Sequence, residues 1–166
     1  GANDDFAIAR YNSDGTLDTT FSGDGKTTVA IGSGLDQAFA VALQSDGKIV
    51  VAGNSYNGTD TDFAVVRLNV DGSLDTSFSG DGKVTTDLAL GNDDANSVLI
   101  QSDGKIVVTG SANNGVSFDF AAVRYNTNGT LDTSFSIDGK VTTFFGVNHD
   151  ESWDSLLQPD GKMVLV

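Results

Sequence analysis

The chain repeats itself every 57 residues without a slip. Asp5-Phe6-Ala7 returns as Asp62-Phe63-Ala64 and as Asp119-Phe120-Ala121, and the same interval of 57 joins Phe21, Phe78 and Phe135. Asp46-Gly47-Lys48, Asp103-Gly104-Lys105 and Asp160-Gly161-Lys162 keep the same phase. A fixed period of this size marks stacked supersecondary units, each unable to bury its apolar face alone. The repeat therefore constrains the fold before any single residue does.

The middle copy shows what each unit builds. Phe63-Ala-Val-Val-Arg-Leu68 is short, apolar and rich in β-branched residues, and it ends at the turn signal Asn69-Val70-Asp71-Gly72. Lys83-Val-Thr-Thr-Asp-Leu88 and Asn96-Ser-Val-Leu-Ile-Gln101 follow, then Ser102-Asp103-Gly104 and Lys105-Ile-Val-Val-Thr-Gly110. Asp-Gly between two such runs is a strong hairpin signal because the glycine tolerates φ > 0. No window carries a 3.6-residue apolar stripe, so essentially no helix is expected. The strands are apolar on both faces, and a strand dry on both sides must lie between layers.

Four-stranded units sandwiched in this way are the blades of a β-propeller. The expected fold class is all-β, one repeat domain over 1–166 with repeats 5–61, 62–118 and 119–166. With the Ser-Val-Leu-Ile strand innermost, a blade runs 38–44, 48–53, 62–69, 83–88. The chain then holds two full blades and two complementary half blades, which could pair with each other. Three blade-equivalents fall short of the usual four to eight. The ring is expected to be completed by self-association, two chains giving six blades, or by the remainder of a longer chain.

The residues that carry this pattern resemble a known family. Asp-Phe-Ala-Val-Val-Arg-Leu-Asn-Val-Asp-Gly-Ser-Leu-Asp-Thr-Ser-Phe (62–78), Gly-Lys-Val-Thr-Thr (82–86) and Gln-Ser-Asp-Gly-Lys-Ile-Val-Val-Thr-Gly (101–110) are similar to the bacterial delta-60 repeat. The resemblance implies a propeller-like domain in bacterial, usually secreted or surface-associated proteins. It brings no established catalytic residues, so none is transferred. One departure is Gly-Val-Asn-His-Asp-Glu-Ser-Trp (146–153), which replaces the plainer Gly/Asp/Ala run of the other copies.

Composition narrows the partners. Nine Lys and Arg against 23 Asp and Glu leave a net charge of −14, which argues against nucleic acid and against an anionic membrane surface. Zero cysteines removes disulfides, thiolate chemistry and zinc–sulfur sites. No apolar run approaches the roughly 20 residues of a membrane-spanning helix, and no signal peptide opens the chain. A start just before a repeat and an end within a strand-like run suggest a piece of something longer.

Asn12-Ser-Asp14-Gly15-Thr-Leu-Asp18 and its two copies look like calcium loops, yet alignment on Gly15 puts Arg10 and Phe21 where an EF-hand needs acids. Asx-turn chemistry explains those residues without a metal. Arg10, Arg67 and Arg124 then need acceptors, and Asp18, Asp75 and Asp132 stand at the right spacing. Leu17 with Phe21, and their equivalents, read as plugs that tie the long connection to the core. Residues identical in every copy answer a demand common to every blade, which is packing.

Specific function is expected where the copies differ, in loops 54–61 and 111–118 with 31–37, 88–94 and 145–151 at one end of the blades. Asp36, Asp93 and Asp150 are equivalent there, with Asp94 and Glu151 beside two of them. These five carboxylates are the candidate ligands for Ca²⁺ or another hard cation; the alternative is that Asp caps the turn before the strand. Tyr56, His149 and Trp153 are the candidate ligand-binding residues, for a glycan or a protein partner. No catalytic residue is assigned. The leading expectation is a non-enzymatic extracellular structural and binding module of a bacterial surface, adhesion or filament-type protein. The alternatives are a cation-dependent propeller hydrolase or lyase on Asp36, Asp93, Asp150 and Glu151, and a carbohydrate-binding module on Tyr56 and Trp153.

Overall fold

A computed structural model describes residues 4–146 and 148–166. Twelve strands occupy the described residues, and none of these residues is helical: β1 (Phe6–Ala9), β2 (Lys26–Val29), β3 (Asp36–Leu43), β4 (Ile49–Tyr56), β5 (Thr61–Leu68), β6 (Lys83–Thr86), β7 (Asp93–Ile100), β8 (Ile106–Asn113), β9 (Phe118–Tyr125), β10 (Lys140–Thr143), β11 (Ser155–Leu157) and β12 (Met163–Leu165). Among the described residues no helix is long and apolar enough to cross a membrane. The strands form two antiparallel four-stranded blades, β3-β4-β5-β6 and β7-β8-β9-β10, and two separate pairs, β1-β2 and β11-β12. The blade order is the one the repeat phase implies.

The expected pairing of the two half blades with each other does not occur. β1-β2 lies against β3 at one end of the stack and β11 lies against β7 at the other. The stack is an open arc because three blade-equivalents leave their terminal halves on opposite sides of two full blades. Two of the layer boundaries hold an apolar core. Phe6, Phe21, Val51, Ala64, Val66 and Leu68 fill the first, and Val50, Phe63, Val65, Phe78, Val108 and Tyr125 belong to the second. Removing each such large side chain from water contributes about 1.5–3 kcal/mol. That is why β4, β5 and β8 are buried along nearly their whole length, with no polar face to present.

Polar turns lock the layers. Arg67 Nε donates to Asp75 Oδ2 at 2.7 Å, its Nη2 reaches Ser77 Oγ at 3.1 Å, and its Nη1 crosses to the Thr127 carbonyl of the next blade at 2.6 Å. The guanidinium lies 4.7 Å over the Phe78 ring, and Lys48 Nζ joins the same Asp75 oxygen at 2.9 Å. Arg10 repeats the fork with Asp18 and Thr20 and donates to the Val70 carbonyl; Arg124 repeats it with Asp132 and Ser134. Burial raises the Asp75 carboxyl, but hydrogen bonds from Ser77 and Lys48 and the charge of Arg67 outweigh it and hold the group well below the usual range. The turn residues Asp14, Asp71 and Asn128 each accept the N–H and hydroxyl of the residue two places on, as Asx turns do.

Two kinds of glycine are forced. β3 bulges between Ala38 and Ala40, and β7 between Ala95 and Ser97. Opposite each bulge a Cβ on Gly53 would sit 1.9 Å from the Gln37 carbonyl oxygen, and one on Gly110 1.8 Å from that of Asp94. Gly72 and Gly129, at φ +87 and +88, lie under the rings of Phe21 and Phe78 from the preceding layer, which an added Cβ would meet at 2.9 and 3.0 Å. Gly110→Ala is therefore expected to cost well above the ~1 kcal/mol of an average substitution. Gly146→Ala, where a Cβ meets nothing within 4 Å, serves as the control. Denaturant midpoints of the two variants check this, and equal midpoints would show that the bulge yields freely.

Candidate functional site

The variable loops gather at one end of the blades, as the alternation of antiparallel connections requires. Two features stand out there. The first is an acidic cluster between the two blades. Asp62 at the start of β5, Asp87 after β6 and Asp93 at the start of β7 bring one carboxylate oxygen each within 4.8 Å of one another. Asp93 is fully buried and Asp62 nearly so, and each keeps one oxygen with no hydrogen-bond partner. The other Asp93 oxygen accepts Leu88 N–H at 2.7 Å, and Asn57 Nδ2 donates to Asp62 at 3.1 Å.

Burial pushes the Asp93 carboxyl up to about 7, and the charges of Asp87 and Asp62 add to the effect. Burial also raises Asp62; Asn57 opposes the rise, Asp87 and Asp60 reinforce it, and the Lys140 ammonium, which donates to the Asp87 carbonyl at 2.6 Å, partly offsets it. Among the described residues only this boundary brings three carboxylates within such reach of one another. The positions equivalent to Asp87 are Ala30 and Phe144.

The second feature is a groove of about 260 Å³ across the inner strands, lined by Gln37, Phe39, Asn54, Asp94, Asn96, Ser111, Glu151 and Trp153. It collects two repeat positions from three layers: Gln37, Asp94 and Glu151, and Phe39, Asn96 and Trp153. Its floor is braced between layers. Asn54 donates to Asp94 at 2.6 Å and accepts Ala95 N–H at 2.8 Å, while Ser111 accepts Ser152 N–H at 2.9 Å. Burial raises the Asp94 carboxyl, the Asn54 hydrogen bond opposes that rise, and the charge of Glu151 adds to it.

The candidate residues divide between these places. Asp94, Glu151 and Trp153 meet in the groove. Asp36, Asp93 and Asp150 do not line it: successive side chains of a strand point to opposite faces, and these acids stand one residue out of phase with the groove. Asp36 accepts the N–H groups of Ile31 and Gly32 at 2.7 and 3.2 Å, and Asp93 that of Leu88, so both cap the connection entering the inner strand. Asp150 donates its N–H to the Phe118 carbonyl at 2.8 Å. Among the described residues these three acids form no common cluster; Asp93 alone of the five candidates joins Asp62 and Asp87.

His149 lies away from a metal-like arrangement. Its Nδ1 accepts Phe118 N–H at 3.3 Å and its ring tilts over Phe118 with centroids 5.7 Å apart. Tyr56 packs above Gly34, where a Cβ would meet its ring at 2.6 Å. Sequence reasoning missed Asp62, Asp87, Gln37, Phe39 and Asn54. The irregularity of Asp87 against Ala30 and Phe144 was the available signal for the cluster.

The Asp93 carboxyl sets a pH dependence. The folded chain holds its proton up to about pH 7, whereas an unfolded chain gives it up near the ordinary value of 3.8. The native state thus binds more protons across that window, and this contribution to stability falls as pH rises through it. Between about pH 5 and 8 the wild-type melting temperature should drop relative to that of Asp93→Asn, which removes the proton and relieves Asp62 and Asp87. Parallel curves would contradict the buried acid. Asp75 and Asp132, held low, titrate below this window.

Comparison with known families follows the same repeat. A family model described as "Domain of unknown function (DUF5122) beta-propeller" matches residues 1–21, 44–78 and 101–135, each segment ending on a plug phenylalanine. No curated protein matches the chain.

Proposed function

The chain belongs to the DUF5122 β-propeller family, a domain of unknown function, and on that footing we propose that it is a non-enzymatic structural and binding module. In this reading it is part of a bacterial surface, adhesion or filament-type protein outside the cell. The observation that carries it is a division of labour. Residues shared by every copy are consumed in turns and interlayer ties, whereas the groove places unlike groups at equivalent positions: Gln37, Asp94, Glu151 and Phe39, Asn96, Trp153.

The groove chemistry favours a glycan. Trp153 and Phe39 offer exposed apolar ring faces, and Asp94 and Glu151 offer acceptors for hydroxyl groups, the mixture by which a concave site orients a polyol. Trp153 is the single tryptophan, so its fluorescence reports the site directly. Titration with neutral hexose, N-acetylhexosamine and uronic-acid oligomers is expected to give a saturable shift with at least one, abolished in Asp94→Asn. Flat titrations across the three classes would sink the glycan reading, and released reducing ends would favour the hydrolase alternative.

One observation supports a second reading, a hard cation at Asp62, Asp87 and Asp93. Three carboxylates facing one another around unpartnered buried oxygens suit Ca²⁺, which takes carboxylate oxygens at roughly 2.3–2.6 Å and would join the two blades. Calcium chloride at about pH 8 is then expected to raise the melting temperature of the wild type and leave Asp93→Asn unchanged. Equal responses of the two proteins would exclude this site.

A further inference from the structure

Three asparagines in the chain are followed directly by glycine: Asn57-Gly58, Asn114-Gly115 and Asn128-Gly129. In such a pair the glycine nitrogen can attack the asparagine Cγ, because no Cβ obstructs the approach. The three surroundings differ at the atom that must react. Gly115 N–H donates to Asn113 Oδ1 at 2.8 Å, and Gly129 N–H to the Asn126 carbonyl at 2.9 Å. Gly58 N–H has no such acceptor among the described residues, because Tyr56 stands where the next repeat has Asn113.

The Asn57 amide is also set for attack. It is exposed, on the loop between β4 and β5. Its Oδ1 accepts Thr59 N–H at 2.9 Å and Asp60 N–H at 3.2 Å, so two backbone donors converge on the oxygen where negative charge builds during attack. Its Nδ2 donates to Asp60 Oδ1 at 2.7 Å and to Asp62 Oδ2 at 3.1 Å. Asn114 repeats most of this geometry. Its Oδ1 accepts Val116 and Ser117 N–H at 2.9 and 3.1 Å, and its Nδ2 donates to Asp119 at 2.8 Å. The two sites therefore differ chiefly in whether the glycine nitrogen is tied.

We propose that Asn57 is a self-modification site, at which the chain converts its own amide to a carboxylate. Gly58 N bonds to Asn57 Cγ and closes a cyclic imide. The Cγ–Nδ2 bond breaks, and Nδ2 leaves as ammonia with the proton given up by Gly58. Water then cleaves the imide nitrogen from Cγ, giving aspartate, or from the main-chain carbon, giving isoaspartate. The net change consumes water and releases ammonia, and it needs no oxidant or further reagent.

The product alters the boundary between the two full blades. A donor 3.1 Å from Asp62 becomes an acceptor, which adds an acid beside Asp62, Asp87 and Asp93 and removes the group that satisfied Asp60 and Asp62. Like charges so close oppose one another unless a cation lies among them. Modification thus adds a carboxylate to the cation cluster of the second reading. This consequence rests on that reading; the conversion itself does not.

Asn57→Asp mimics the converted chain. Its melting temperature in chelator should fall below that of the wild type, and calcium chloride should restore it; a fall without restoration would remove the cation consequence and leave the conversion standing. The conversion is tested on the purified wild-type chain, held in chelator at mildly alkaline pH and sampled for peptide mapping by mass spectrometry. Asn57 should convert about three to ten times faster than Asn114 and Asn128, the rate equivalent of one ordinary hydrogen bond on the attacking nitrogen. In urea, where all three are plain Asn-Gly pairs, the rates should converge. Tyr56→Asn, which supplies the acceptor found in the next repeat, should slow Asn57, and Asn113→Ala should speed Asn114 by a similar factor. Equal rates in the folded chain, a difference that persists in urea, or no effect of either substitution would each overturn the proposal.

Discussion

One side chain per blade holds the layers in place. Arg67 leaves β5 among apolar neighbours, and its guanidinium has donors in several directions and no way to shed its charge. The blade meets that demand with Asp75 on the long connection, Ser77 beside it, the Phe78 ring beneath and the Thr127 carbonyl of the next layer. The connection is thereby folded onto its own blade and pinned to its neighbour at once. A buried charge left without one of these partners costs about 3–5 kcal/mol, so the loop has little freedom to take another path. The plug phenylalanine, the glycine under it and the left-handed serine after it are all placed by this one fork.

The fixed fork frees the other end of the blade. The Asn/Asp-Gly turns are satisfied internally, while the opposite loops need only close their strands. There the copies diverge, and there the acidic cluster and the groove lie. Both occur at layer boundaries, where side chains of neighbouring blades meet. The groove is braced by Asn54 and Ser111, whose side chains grip the backbone of the next inner strand. Its lining is therefore held by the same stacking that the arginine fork enforces.

Much of the architecture was legible in the sequence because its causes recur at one interval. The spacing of Arg10 to Asp18, repeated twice, pointed to an ion pair before any coordinate did. Two-sided apolar strands implied layers, and the phase of the Asp-Gly turns fixed the blade order. The site was less legible because it depends on parity and on irregularity. Asp93 and Asp94 are neighbours in sequence, yet one caps a turn and the other faces a groove. Asp87 has no counterpart in the other copies, and the bulges opposite Gly53 and Gly110 shift the facing of an inner strand in a way that an apolar pattern does not record.

The repeated turn motif acts as a load-carrying interlayer tie, its acid, hydroxyl and ring all engaged by the arginine. A double-mutant cycle on Arg67→Met and Asp75→Asn, read from equilibrium unfolding with excess chelator present, tests it most directly. A coupling energy of about 2 kcal/mol or more, unchanged by added calcium, is the expected result, since exposed pairs give only about 0.2–1 kcal/mol. A coupling at that surface level, or one that appears only when calcium is supplied, would contradict this role of the arginine fork.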